Sequence, residues 1–286
     1  MAERLEVVKL APDVVVDAGA GNGHALGRLA ARFPEAAVVA IDIDGAQSRI
    51  SAESRNRGAL AKATGHGWNY GLRVPQWLRR LTSRTRMHAV TGDFRRLPFA
   101  DTSIGCLWSN LALQWDDDPA ATFVEWHRVL EVEGLVLFST LGPDTLKELR
   151  SAWSGSGAAG EKARVHPFID MHDIGDMLVH AGFADPVMDM ETITLTYADL
   201  DGLISDLRSA GAGNAHIDRP RGLTGKLQYR RMRDAYETVR NDARLPATFE
   251  VVYGHAWKPR PRAGTDSDGV ARLRIEDIGG RSRGRS

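Results

Sequence analysis

Apolar runs of strand length recur through the first half of the chain: Val14 to Ala18, Val38 to Ile43, Met87 to Gly92, Ile104 to Ser109 and Leu135 to Thr140. Between them, Gly23 to Arg32 and Ala120 to Leu130 carry apolar residues at three- and four-residue spacings, the period of helices that cover a sheet. Strands alternating with such helices predict repeated βα units around a parallel sheet. Prolines mark the joints: Pro34 follows the first helix, Pro98 the third strand, and Pro119 opens a helix at a position where its missing N–H costs nothing.

The second half changes character. Helical patterns at Asp144 to Trp153, Met171 to Ala181, Asp199 to Ser209 and Thr224 to Arg240 alternate with two β-rich stretches, Val187 to Tyr197 and Thr248 to Trp257. With no clear linker dividing the halves, these two stretches are expected to complete the sheet. The expected fold class is therefore α/β, a doubly wound, mostly parallel seven-stranded sheet with a helical insertion over one edge. Residues 1–258 are expected to form one domain, with helical insertions at about 144–182 and 199–245. Gly/Ser/Ala-rich Ser154 to Gly160 reads as a loop. Residues 259–286, with seven Arg and almost nothing apolar, read as a disordered tail.

Composition narrows the class. In 286 residues, 43% are hydrophobic and 26% charged, and 37 Lys plus Arg balance 37 Asp plus Glu, an ordinary soluble globular profile. A single cysteine, Cys106, excludes a disulfide framework and a Cys-rich metal site, and fits a reducing, cytoplasmic setting. No apolar stretch reads as a signal peptide or membrane span. Charge is nonetheless segregated. Arg49 to Arg86 holds nine basic residues against Glu53 alone, a net +8, whereas Asp170 to Asp206 holds nine acids and no Lys or Arg. Folding does not need such segregation, but docking to a charged partner can use it.

The strongest local signal is Asp17-Ala18-Gly19-Ala20-Gly21-Asn22-Gly23, directly after a strand and opening a helix. Glycine is needed where the chain turns sharply and where a ligand must approach the backbone. A dinucleotide fingerprint would place its third glycine at position 24, which is His24. The observed G-x-G-x-G spacing is the form expected of an S-adenosylmethionine site, where no pyrophosphate has to be cradled. Asp42 ends the second strand, where a carboxylate can accept both ribose hydroxyls, with Asp44 as its rival. Asp93 ends the third, where it can accept from an adenine amino group while Phe94 lies against the ring. Together at the carboxyl ends of three successive strands, these acids are hard to explain as helix caps.

On these residues the chain resembles the class I S-adenosylmethionine-dependent methyltransferases over roughly residues 13–140. Distal motifs narrow the match: Ser109 to Trp115, Gly142 to Arg150, His166 to Asp170 and Leu245 to Trp257 are similar to the malonyl-acyl-carrier-protein O-methyltransferase family of biotin synthesis. The resemblance implies S-adenosyl-L-methionine as cofactor, held by Asp17, Gly19, Gly21, Gly23, Asp42, Ile43, Asp93, Phe94, Asn110 and Leu111. It also implies malonyl-acyl carrier protein as partner. There are departures. The family has a longer segment before the first strand that helps close the site, where this chain has Met1 to Pro12. The family's Pro-Gly-Gly before the fifth strand reads Val132-Glu133-Gly134. The distal motifs are shared with a family similar to complex I assembly factors that modifies a protein arginine, and a cofactor-binding protein without catalysis is a further alternative.

Methyl transfer to a carboxylate needs no general base, because a free carboxyl titrates near about pH 4. Positioning is the main demand, which agrees with the lack of a Ser/His/Asp, paired-carboxylate or His-x-x-x-His constellation. A carboxylate substrate wants a fixed cation, and arginine's planar fork suits it. Arg150 is the candidate, with His166 as helper; Gln114 and Trp115 lie after the fourth strand at the edge facing the transferred methyl, while Trp108 and Trp126 are assigned to the core. The basic segment 49–86, with Trp68, Tyr70 and Trp77 interleaved, suits docking of an acidic carrier protein better than nucleic acid.

Overall fold

The structure, a computed structural model, describes residues 1–6, 8–44, 86–155, 164–216, 219–220 and 222–261. The basic segment 49–86, apart from the backbone of Arg86, and nearly all of the tail from 259 onward lie outside the described residues.

Seven strands form one sheet: β1 (Val14–Ala18), β2 (Ala37–Asp42), β3 (Arg86–Thr91), β4 (Ile104–Asn110), β5 (Leu130–Leu141), β6 (Ala184–Tyr197) and β7 (Leu245–Trp257). Their order is β3-β2-β1-β4-β5-β7-β6. Pairings from β3 through β5 are parallel, and β7 runs antiparallel to both β5 and β6. The order reverses at β1, between β2 and β4, so the carboxyl ends of those strands open a crevice at the switch point.

Side chains alternate between the two faces with the period of a strand. Val16, Ile41, Leu107, Val136, Phe138 and Val252 enter one core layer, closed by α3 (Pro119–Val129) and α5 (Met171–His180) through Phe123, Trp126, Ile174 and Leu178. Val15, Val38, Ala40, Cys106, Trp108 and Leu137 enter the other, closed by α1 (Ala2–Glu6) and α2 (Leu26–Arg32) through Leu5, Leu26 and Leu29. Cys106 is sealed in this second layer, and burial pushes its thiol up to about 12, so it is inert. A third cluster gathers α4 (Lys147–Ser154), α6 (Leu200–Ser209) and α7 (Lys226–Glu237) around Leu149, Leu203, Met232 and Tyr236, against the start of β7. The Tyr236 hydroxyl donates to the Pro246 carbonyl at 2.7 Å, tying this helical group to the sheet.

Several boundaries differ from expectation, among them the starts of β6 at Ala184 and β7 at Leu245, each three residues early. Helix α2 starts at Leu26 rather than Gly23, because Gly23 has φ +74° and cannot lie inside a right-handed helix. The fifth strand starts at Leu130 rather than Leu135. Leu130 pairs with Ile104, the register shifts before Cys106 meets Leu135, and the intervening residues bend through Glu133 at φ +64°. Gly134 has no room for a side chain there, since a Cβ would meet the Glu131 carbonyl at 2.8 Å.

Candidate functional site

The glycine loop is a bend held against the second strand. Gly19 and Ala20 N–H groups donate to the Ile41 carbonyl at 2.9 and 3.0 Å, and Gly19, Gly21 and Gly23 all have positive φ. Gly19 is the position where a side chain is impossible: a Cβ would stand 2.3 Å from the Ala112 Cβ. The loop therefore packs directly on the segment after β4, with Phe94 also beside it. By contrast a Cβ on Gly21 would meet nothing within 4 Å among the described residues.

Three acids surround the bend as the strand ends dictate. Asp17 on β1 is 2% exposed, and its Oδ2 is buried with no hydrogen-bond partner among the described residues. Burial, reinforced by the nearby Asp42 carboxylate, pushes its pKa up to about 7. Asp42 is engaged with the loop: its Oδ2 accepts from the Gly21 N–H at 2.7 Å and its Oδ1 from the Asp44 N–H at 2.9 Å. Asp44 thus contributes backbone, and Asp42 is the carboxylate that organises the turn. Ile43 stands 67% exposed next to it. Asp93 takes the Arg95 guanidinium on both oxygens, at 2.9 Å on Oδ1 and 2.7 Å on Oδ2, and this hydrogen-bonded cation holds its carboxyl below the usual range. Phe94 is fixed from behind: its carbonyl accepts from the Trp126 indole N–H at 2.9 Å, and its ring tilts against that indole at 6.5 Å.

The fourth strand supplies the facing wall. Asn110 Oδ1 accepts from the Ser139 hydroxyl at 2.9 Å, and Leu111, at φ +50°, donates its N–H to the Ser139 carbonyl at 3.1 Å. Gln114 Nε2 turns back to the Leu111 carbonyl at 2.7 Å, while its Oε1 is buried with no partner among the described residues. Trp115 is 39% exposed beside His166, with ring centroids 6.3 Å apart. Trp126 is fully buried as assigned. Trp108 is 5% exposed, also core, but its indole N–H has no partner among the described residues where it borders a cleft of about 840 Å³ between α1 and α2 that reaches Asn110.

Arg150 projects from α4 back to the loop before it, donating to the Pro143 carbonyl at 2.6 Å and the Thr145 carbonyl at 3.0 Å. Two of its five N–H donors are thus engaged. Glu250 of β7, 5% exposed, secures the same loop by accepting from the Asp144 N–H at 2.7 Å. His166 lies elsewhere, half-buried among Gln114, Trp115 and Phe168, and its pKa is held below the ordinary imidazole value, chiefly by burial. The structure thus brings Asp17, the glycines and Asp42 together, and groups Gln114 with His166. Arg150 is joined to the 143–145 loop rather than to His166. His216 and Asn214, not singled out in the sequence, also border His166. No local signal could have found them, since β6 and α6 intervene.

A site that grips a cationic nucleoside needs a buried acceptor, bare backbone and a flat apolar wall. The Asp17 oxygen without a partner among the described residues, the side-chain-free approach at Gly21, and Phe94 have the chemistry of those three groups. Among the described residues, no group of three or more His, Cys, Asp or Glu could hold a metal ion, and no helix is long and apolar enough to cross a membrane.

Comparison with known proteins agrees with this geometry. Residues 16–138 match the family model described as a methyltransferase domain. Proteins named malonyl-[acyl-carrier protein] O-methyltransferase are similar over nearly the whole chain. The one from Gallionella capsiferriformans is 47% identical over 94% of this chain and 85% of its own length. That from Nitrosospira multiformis is 47% identical over 92% and 81%. In fold, the chain is similar to the YcgJ protein of Bacillus subtilis, with a TM-score of 0.57 at 13% identity over 91% of this chain and 97% of that one. It is also similar to a methyltransferase-like structure from Bacillus halodurans, with a TM-score of 0.56 at 17% identity over 90% and 97%.

Proposed function

We propose, from the premise that the chain belongs to the malonyl-[acyl-carrier protein] O-methyltransferase family, that it methylates the free carboxylate of malonyl-acyl carrier protein. The observation that carries this is 47% identity to relatives of that name over 94% of the chain. The methyl ester masks the charge, so that the product resembles an ordinary acyl chain for elongation toward the biotin precursor. S-adenosyl-L-methionine, when bound, supplies an activated methyl group that a carboxylate oxygen can displace from sulfur.

The chain's own residues bind and orient. Asp17 offers a buried oxygen to a cationic group; Asp42 keeps lone pairs for ribose hydroxyls while it pins Gly21; and Phe94, with Ile43, borders the base, where Asp93 accepts. Asn110 and Leu111 face the reacting atoms from the end of β4. Arg150, steadied by the carbonyls of Pro143 and Thr145, holds the malonyl carboxylate. His166 and Gln114 fix the remainder of the acceptor. No residue has to remove a proton, because the substrate carboxyl is already ionised at neutral pH. Rate comes from holding nucleophile and methyl carbon in line. The reaction belongs in the cytoplasm, where carrier protein and reduced Cys106 are at home.

The test is transfer of a tritiated methyl group from the cofactor to malonyl-acyl carrier protein, with none to the acetyl form. Absence of label on both overturns the reading. Restoration of growth to a biotin auxotroph separates it from methylation of a protein arginine.

A further inference from the structure

Helix α7 buries one face and leaves the other to solvent. Met232 and Tyr236, each 1% exposed, pack with Leu149 of α4 and Leu203 of α6. Lys226, Leu227, Arg230, Arg231 and Asp234 are exposed and share the opposite face. Leu223, just before the helix, is fully exposed, and Leu227 is 61% exposed, so two large apolar side chains meet water at the same end of α7. The other cations of the helix and its exit are engaged: Arg233 holds both Asp201 oxygens, at 2.7 and 3.0 Å, and Arg240 pairs with Glu237. Lys226, Arg230 and Arg231 form no ion pair among the described residues. This face adjoins the acceptor side. α7 packs on α4, which bears Arg150, and Arg164 reaches across from the 164–170 segment to the start of α7, donating to the Thr224 hydroxyl at 2.7 Å and to Gln228 Oε1 at 3.2 Å. A partner seated on α7 therefore stands within about two helix diameters of α4, on the order of 20 Å, a span suited to a substrate carried on a long flexible arm.

We propose that the exposed face of α7, with Leu223 at its entry, is the contact surface on which the acidic carrier protein seats. This rests on the reaction given above. Interfaces are anchored by apolar side chains, with arginine enriched around them. Leu223 and Leu227 supply the anchors, and Lys226, Arg230 and Arg231, against Asp234, supply the charge that an acidic partner complements. A second copy of this chain fits poorly, because a two-fold contact sets a patch against itself and brings these cations face to face. An anionic bilayer asks for a continuous apolar stripe, which Arg231 and Asp234 interrupt. Nucleic acid asks for aromatic platforms, and the exposed residues of this face include none. The basic run 49–86 acts differently: its accumulated charge attracts from a distance, whereas the α7 face offers apolar contact.

The experiment measures binding of fluorescently labelled malonyl-acyl carrier protein to the full chain, to Leu227→Ser and to the double variant Arg230→Glu, Arg231→Glu. Each variant is expected to weaken binding about tenfold and to keep the parent's affinity for S-adenosylhomocysteine. The loss in the double variant should shrink at high salt, whereas that in Leu227→Ser should persist, since screening acts on charge alone. In the parent, bound carrier protein should also protect Lys226 from acetylation by acetic anhydride, read by mass spectrometry. Undiminished carrier-protein binding by both variants, or an unprotected Lys226, overturns the proposal. So does binding of the parent to phosphatidylserine vesicles that both variants lose while keeping carrier-protein affinity, or a parent dimer that Leu227→Ser dissociates with the same result. Loss of the cofactor analogue's binding by one variant marks a fold defect, and the other variant with the Lys226 footprint then decides. Transfer of label decides the reaction separately: a parent that binds carrier protein on this face but methylates nothing on it keeps the surface and loses the reaction.

Discussion

Asp17 carries its charge reluctantly. It is sealed at the end of β1 with one oxygen unpartnered, and its pKa is pushed up to about 7, against about 3.9 in an unfolded chain. Between those values the folded protein binds more protons than the unfolded one, so this residue makes stability fall as pH rises through about 4 to 7. Asp17→Asn removes that dependence, and thermal unfolding should show the variant gaining stability over the parent at pH 8 but not at pH 4. The same carboxyl should ionise when a cationic group arrives. Calorimetric titration with S-adenosylhomocysteine at pH 6.5, in buffers of different ionisation enthalpy, should show proton release by the parent and none by Asp17→Asn. Equal release by both would remove Asp17 from the cofactor site. Gly19 is the stricter residue, because its φ of +78° and the 2.3 Å approach to the Ala112 Cβ forbid any side chain. Gly19→Ala should cost about 1–3 kcal/mol in a denaturant titration and abolish cofactor binding, whereas Gly21→Ala, which meets no described atom within 4 Å but keeps a φ of +53°, should cost only about 1 kcal/mol and impair binding more than stability.

The loop that leads into α4 depends on β7 for its shape. Thr145 is fully buried; its hydroxyl donates to the Glu250 carbonyl and accepts the Glu250 N–H, both at 3.1 Å, and Glu250 in turn accepts from Asp144. Beyond Leu141, the last residue of β5 paired with β7, this side chain replaces a missing strand partner. Thr145→Val keeps the shape but strands a buried N–H, which should cost about 1–3 kcal/mol in urea unfolding; Thr145→Ser should cost clearly less. Because Arg150 is tethered to the carbonyls of Pro143 and Thr145, the Val variant should also raise KM for the malonyl substrate. Elements whose partners are local or periodic could be read in advance. β1 falls on Val14–Ala18 as expected, and α5 and α6 open behind Asp170 and Asp199, whose carboxylates accept N–H groups of the first turn. The early start of β5 could not be read, since it depends on Leu130 meeting Ile104 across the sheet. For the same reason the candidate cofactor edge is legible as Asp17, the glycines and Asp42, whereas Thr145 and Glu250 take their partners from segments remote in sequence.

For the molecule as a whole, charge placement bears on how a protein-sized substrate is met. The acids from Asp170 to Asp206 cap or lie on α5, β6 and α6, where Asp201 pairs with Arg233 and Asp189 with Arg4. The basic run from Arg49 to Arg86 carries a net +8, and attraction of that size speeds encounter and orients docking more than it deepens affinity. Exposed charges are screened beyond about 8–10 Å at physiological salt, so kcat/KM for malonyl-acyl carrier protein should fall steadily as salt rises. Replacing Arg79 and Arg80 by Glu should lower that kcat/KM by about tenfold at low ionic strength, and the difference should shrink at high salt. Malonyl-pantetheine, which lacks the carrier protein, should be methylated equally by the parent and the variant. A matching loss with malonyl-pantetheine would place those arginines in the site itself, and no loss with either substrate would mean that the carrier protein docks on another surface.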